Sequence, residues 1–280
     1  MSFQKKNFSY FWLSTLCIWL LDISILCAVF TEPSMQKYIR TAQRKLTDLT
    51  HTNFHTVPAD RKIVTFTFDD VPASAFEQAA PILDQHGIQG TFYIAMTFME
   101  GHGPETMYNL DHLKAIDAKG HEIASHTYDH FHFYQAKDAA YIAQDLDKNT
   151  AEFARLGIDQ QLLNFSYPFG EQTTLAKKNT HIRFQSSRGI DRGINQGKTD
   201  FNNLKAIQLY EGKYPISSME ALLDEFDKEG GWLIFYTHDV EENYSKYGCS
   251  PSYFEQAVKL CVDRSFEMKT VAEVVKELVK

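Results

Sequence analysis

Cysteine is scarce in this chain, and none of its four cysteines sits in a CxxC pair. That excludes a zinc knuckle and a thioredoxin-like redox motif. A basic stripe is also missing, and the formal net charge is −8. Neutralising phosphates takes clustered Lys and Arg, so a nucleic-acid partner is excluded. A long anionic polymer would be repelled on average; a neutral or partly cationic substrate fits better. There is no internal repeat of fixed period and no low-complexity segment. The composition is that of an ordinary globular protein, 44% hydrophobic and 23% charged, long enough to bury a large core. Cys249 and Cys261 would bridge in an exported domain or stand as two independent thiols, and the sequence leaves both open.

One long apolar run is present. Lys5 and Lys6 precede a stretch from Phe8 to Phe30, which has the roughly 20-residue length that a membrane span requires. Asp22 lies inside it, at a cost of about 3 kcal/mol on insertion scales. The core from Phe11 to Leu21 would also serve a secretory signal, but no A-x-A-like cleavage site follows. Residues 1–31 are therefore expected to form an N-terminal hydrophobic helix, a signal anchor in preference to a cleaved signal, that brings the chain to a membrane. Lys37, Arg40, Arg44 and Lys45 follow the run, so the positive-inside rule gives no clear outward orientation. Residues 32–59 read as a polar, partly helical linker, and 60–280 as one compact domain.

Within that domain strands and helices alternate. Ile63 to Phe68 is rich in β-branched and aromatic residues, as a buried strand should be. Further strands are expected over 90–95, 121–125, 164–167 and 232–236. Helices are expected over 74–86, 110–119, 137–156, 252–264 and 270–279, three of them stopped by Gly87, Gly120 and Gly157. This order implies a parallel sheet or barrel.

In parallel α/β barrels the reactive groups collect at the C-terminal ends of strands. Here the apolar runs stop where ionisable residues begin: Asp69-Asp70, Ser125-His126-Thr127-Tyr128-Asp129-His130 and Thr237-His238-Asp239. His126 and His130, four residues apart, can both face one ion. Asp70 completes a set that leaves positions open for water and substrate. Such donors suit Zn2+ and also Co2+, Ni2+ or Mn2+. Adjacent strand residues face opposite ways, so Asp69 and Asp70 need irregular backbone if both are to serve one site. Asp69 is then placed to take a proton from the attacking water. Ser74 is the expected cap of the following helix. His238 reads either as a proton donor or as a satisfied core histidine, and His132 as a member of an aromatic cluster or a surface residue.

Four segments, Thr67-Phe68-Asp69-Asp70, Ser125–His130, Tyr167-Pro168-Phe169-Gly170 and Tyr236-Thr237-His238, resemble in order and spacing those of the polysaccharide deacetylase family, the NodB-like group of carbohydrate esterase family 4. The resemblance covers roughly residues 60–278. It implies a distorted (β/α) barrel with about seven strands, the NodB homology domain. It also implies a divalent metal, first of all Zn2+, held by Asp70, His126 and His130. Asp69 would be the catalytic base and His238 the acid. Tyr167-Pro168-Phe169 would form the oxyanion segment, with the Phe169 N–H as donor. Two departures stand out. Ser166 replaces an Arg that often orients the base, and the region around Arg188 and Asp191 lacks the family's Trp. Arg188 is expected either to supply the positive partner of Asp69 or to stand as a surface or substrate-contacting residue, and Asp191 to orient His238. Tyr167, Tyr210 and Tyr236 are either sugar-stacking residues or ordinary packing.

The expected activity is hydrolysis of N-acetyl groups on sugars of a polysaccharide or glycan, in the cell envelope. Alternatives are a lipid-linked sugar substrate, a weakly active carbohydrate-binding member of an envelope assembly, and a glycoside hydrolase. The last needs a carboxylate pair across the scissile bond, which nothing in the sequence demonstrates.

Overall fold

The structure is a computed structural model that describes residues 47–101 and 106–279. The chain divides into two units, Met1–Thr47 and Asp48–Lys280, and the fold below is that of the second. The expected hydrophobic helix of residues 1–31 lies outside the described residues, as does most of the expected linker. Among the described residues no helix is long and apolar enough to cross a membrane.

The elements run β1 Phe54–Val57, β2 Lys62–Asp69, α1 Ala80–Gln85, β3 Thr91–Ile94, α2 Leu110–Ala118, β4 Glu122–Ser125, α3 Ala139–Arg155, β5 Asn164–Ser166 and α4 Thr174–His181. They continue β6 Ser186–Arg188, β7 Gly197–Asp200, β8 Ile207–Gln208, α5 Ile216–Glu229, β9 Gly231–Thr237, α6 Pro251–Asp263, β10 Glu267–Met268 and α7 Val271–Leu278. Seven parallel strands lie in the order β6-β5-β4-β3-β2-β9-β8, and β10 pairs with the start of β2. Beyond β6, Ser187 N–H donates to Phe201 O and Gly189 N–H to Leu204 O. Three residues later β8 bonds to β9. The segment Phe201–Gln208 thus draws the two sheet edges together, giving the distorted seven-stranded barrel that the sequence suggested.

Alternation along β2 decides which side chains meet. Val64, Phe66 and Phe68 join the larger core with the helices, packing with Leu233 and Phe235 of β9. Ile63 belongs to a second cluster with Phe201, Leu204, Trp232, Ile234 and Tyr236. Thr65 shares that side, its Oγ1 accepting from Trp232 Nε1 at 2.8 Å. By the same period of two, Thr67 and Asp69 continue the inner row. The strand pattern therefore delivers one carboxylate, at its last residue, to the mouth of the barrel.

The longest helix braces the strand ends. Asp138 caps α3, whose side chain accepts from Tyr141 N–H. Its buried stripe contains Ile142, Leu146 and Phe153 but also Asp145 and Asn149. Asn149 accepts from Met96 N–H and donates to Ile94 O and Ser125 Oγ. Asp145 accepts from Tyr128 N–H at 2.7 Å and Asp129 N–H at 3.0 Å. Two polar residues one turn apart thus fix the loops that leave β3 and β4.

Several details differ from expectation. Ser74 does not cap a helix: its Oγ accepts from Val240 N–H, and a π-helical turn over Ala75–Ala79 precedes α1. β1 lies inside the stretch read as linker and pairs antiparallel with β7; three of its four residues are not buried, so it carries no strand pattern. Helix α5 was absent from the sequence reading although Met219, Leu223 and Phe226 fall on one face. It starts on Pro215, with no side-chain cap to announce it. Cys249 and Cys261 are both buried and free.

Candidate active site

Asp69, at the end of the inner row, is buried, and both of its oxygens accept from Arg188 Nη2. Arg188 also donates to Ser166 Oγ, which is itself 3.4 Å from Asp69 Oδ1. The guanidinium lies between two rings, 5.2 Å from the Tyr93 centroid and 4.7 Å from that of Tyr236. Burial opposes the Arg188 charge, but Asp69 outweighs it and raises the pKa. Burial likewise drives the Tyr93 hydroxyl far above its ordinary value. A fixed cation and neutral phenols therefore surround the Asp69 carboxylate.

The chain then breaks from strand geometry. Asp70 and Val71 have φ of 57° and 56°, a region that non-glycine residues avoid. The turn aims Asp70 at the end of β4 instead of across the sheet. Asp70 Oδ1 lies 2.8 Å from His130 Nε2 and 3.2 Å from His126 Nε2. Thr127 (φ 67°) and His130 (φ 47°) share the left-handed conformation, and His130 N–H donates to Thr127 Oγ1. Strain of this kind persists only where the surroundings over-determine it. Here Asp145 supplies that constraint.

This trio fits a divalent cation. The donor atoms of Asp70, His126 and His130 all lie within 4.8 Å of one another. A cation about 2.1 Å from each donor holds neighbouring donors about 3 Å apart. His126 Nδ1 sits 2.8 Å from Ser166 O, so it carries the proton and leaves the Nε2 lone pair facing Asp70. Asp70 Oδ1 is buried without a hydrogen-bond partner. Burial works against the Asp70 charge, yet His126 and His130 hold its carboxyl well below the usual range. Burial keeps His130 low despite the pull of Asp70. An ionised carboxylate and neutral imidazoles are the forms that bind metal.

His238, after β9, faces the trio with Nε2 3.8 Å from Asp70 Oδ2. Tyr210 and Tyr247 flank its ring at 5.9 and 5.4 Å. Its Nδ1 is buried without a hydrogen-bond partner, so the expected bond from Asp191 is not formed. The Asp191 backbone O accepts from Ala206 N–H on the segment leading into β8. Tyr167, Tyr210 and Tyr236 are all buried and so are packing residues. The Tyr167 hydroxyl is 2.9 Å from Thr180 Oγ1 and donates to Asn202 O. Phe169, by contrast, is 50% exposed with φ 56°, and its ring lies 4.5 Å from that of His130.

Sequence reasoning missed Tyr93, Asp145 and Glu171. Tyr93 carried a signal, because it stands in register with Asp69 at the end of the neighbouring strand. Asp145 carried one too, as an acid within an apolar helical stripe.

The polysaccharide deacetylase family matches residues 56–182, a span that includes Asp69, Asp70, His126, His130 and Phe169. Over that span the chain is similar to the polysaccharide deacetylase family. A peptidoglycan-N-acetylglucosamine deacetylase from Bacillus cereus is 23% identical over 190 residues, covering 62% of this chain and 86% of that one. Among solved structures, a family 4 carbohydrate esterase from Bacillus anthracis superposes with a TM-score of 0.56 at 14% identity, covering 83% of this chain and 91% of that one. BA3943 from the same organism, described as a pseudoenzyme of that family, gives a TM-score of 0.54 at 14% identity over 78% of this chain and 66% of that one. The shared fold therefore does not by itself bring activity, which has to be argued from the side chains.

Proposed function

We propose that this chain hydrolyses the N-acetyl group of an N-acetylhexosamine within a glycan, using a divalent cation. The observation that carries the reading is the convergence of Asp70, His126 and His130 beside an Arg188-paired Asp69, with His238 facing them.

Asp70, His126 and His130 would hold the cation, which when bound supplies Lewis acidity to the acetyl carbonyl and acidifies water. Asp69, paired with Arg188, takes a proton from the attacking water. Arg188 fixes the direction of that carboxylate from a buried position. The Phe169 N–H, in the positive-φ turn over Pro168–Gly170, can donate to the oxygen on which charge develops. Such a donor is worth about 3 kcal/mol in acyl transfer. His238 gives a proton to the departing amine, and acetate leaves. The tyrosines around His238 shield the amine from bulk water.

A cell-envelope glycan is the natural substrate class. It is supported by the apolar run of residues 8–30 and by the substrate named for the Bacillus cereus relative. Zn2+ is the first choice of metal from the donor set.

The test is acetate release from a panel of acetylated oligosaccharides by protein loaded with Zn2+, Co2+, Ni2+ or Mn2+. Asp69→Asn should bind metal normally and release no acetate. Release undiminished in Asp69→Asn, or absent from every substrate and metal, would overturn the reading.

A further inference from the structure

Resting on the deacetylase reading, we propose that the stacked rings of Phe169 and His132, held by Glu171, form a sugar-binding shelf that selects an oligosaccharide over a single acetylated sugar. The two rings lie 3.8 Å apart at an interplanar angle of 13°. His132 Nδ1 is 2.9 Å from Glu171 Oε1, and Glu171 Oε2 accepts from Tyr134 N–H. The His132 side chain is 43% exposed. Folding alone gives no reason to leave an aromatic pair at the surface beside the ligand histidine His130.

The shelf is also expensive to hold. Phe169 occupies left-handed backbone, and Gly170 follows at φ 65°. A Cβ on Gly170 would stand 2.3 Å from Ile190, so the turn is wedged in place from behind. A strained, exposed aromatic fixed from two sides points to a ligand.

The chemistry of the shelf narrows that ligand. Its flat apolar faces end in a polar rim of imidazole and carboxylate. A pyranose ring has the same division, with an apolar C–H face and a hydroxyl edge. Glu171 disfavours an anion, and a purely apolar ligand would leave the rim unused. The shelf runs outward from His130 through Phe169 to His132. A single sugar with its acetyl group at Asp70 and His130 leaves the His132 end uncovered, whereas a second ring along the chain covers it.

The experiment measures binding by calorimetry with Zn2+ present and turnover blocked by Asp69→Asn. N-acetylglucosamine and its tetramer are the probes. The tetramer should bind at least about tenfold tighter than the monomer. With His132→Ala or Glu171→Gln added, that advantage should fall to about threefold or less, and His132→Phe should restore it. On an otherwise unaltered protein, His132→Ala should raise KM for the tetramer more than for the monomer, with the thermal midpoint and Zn2+ affinity kept, which separates a lost shelf from a damaged fold. A length advantage that survives His132→Ala, or is absent from the Asp69→Asn parent, would overturn the shelf. Acetate released equally well from monomer and tetramer would sink the shelf and leave the deacetylase reading standing. No release from any substrate would sink that reading, while the binding series on Asp69→Asn would still report on the shelf.

Discussion

Ser166 and Arg188 are register partners on adjacent strands, and both reach the same carboxylate, Asp69. The cation that steadies the base comes from β6, and the small hydroxyl of Ser166 on β5 leaves room for it. Exchanging the two should move the guanidinium by one strand and keep its target. Arg188→Ser is expected to lower kcat by about 100-fold and to cost about 3 kcal/mol of stability, because it strands a buried charge. Adding Ser166→Arg should recover kcat to within about tenfold and return the pH profile toward the parent's. A double variant no better than Arg188→Ser, measured by acetate release across pH, would show that Arg188 acts by some other route.

The cation site should respond to its ligands one at a time. Asp70→Asn or His126→Ala should weaken Zn2+ binding by at least about 100-fold in competition titrations with a chelator. Chelated protein should lose activity and regain it on Zn2+ addition. Activity that persists after exhaustive chelation would contradict a metal-dependent reaction.

Asp145 gives a pH signature in stability. Burial pushes its carboxyl up to about 6, against the backbone donors Tyr128 and Asp129 that pull it down. The unfolded value lies near 3.9, so between those two pH values the folded state binds the extra proton. The Asp145 contribution to stability therefore rises as pH falls through about 6 and levels off below about 4. Relative to Asp145→Asn, the parent should gain roughly 2–3 kcal/mol across that window. Chemical denaturation of both proteins from pH 7 to pH 4 measures it, and parallel curves would refute the assignment.

Gly170→Ala should destabilise the fold by about 2 kcal/mol and depress kcat, since the new methyl meets Ile190 and displaces the Phe169 N–H. Ile190→Ala in the same chain should relieve the steric part and leave the cost of the positive φ. Thermal denaturation and kcat of the three variants resolve the two contributions.

Much of the ligand set was legible because hydrophobic runs end abruptly at Asp69, Ser125 and Thr237, and strand periodicity makes such ends conspicuous. Arg188 as the partner of Asp69 came instead from the resemblance, because Ser166 stands where the family often has an Arg and Arg188 lies in the segment where the family keeps its tuning residues. Helix α5 escaped for want of a capping residue. The short strands β6, β7 and β8 escaped because Ser186–Arg188, Gly197–Asp200 and Ile207–Gln208 carry no run of apolar β-formers. Tyr167 left sugar stacking and ordinary packing equally open in the sequence; its hydroxyl is engaged inside the fold by Thr180 and Asn202.

The seam that closes the barrel has a mechanical consequence. The three ligands sit on the contiguous wall formed by β2, β3 and β4, whereas Arg188 sits on β6, where closure rests on a few bonds to Phe201 and Leu204. Loosening that joint would swing the guanidinium away from Asp69 while the ion's cradle stayed whole. Mild warming or low denaturant should thus yield protein that still retains zinc yet no longer turns over.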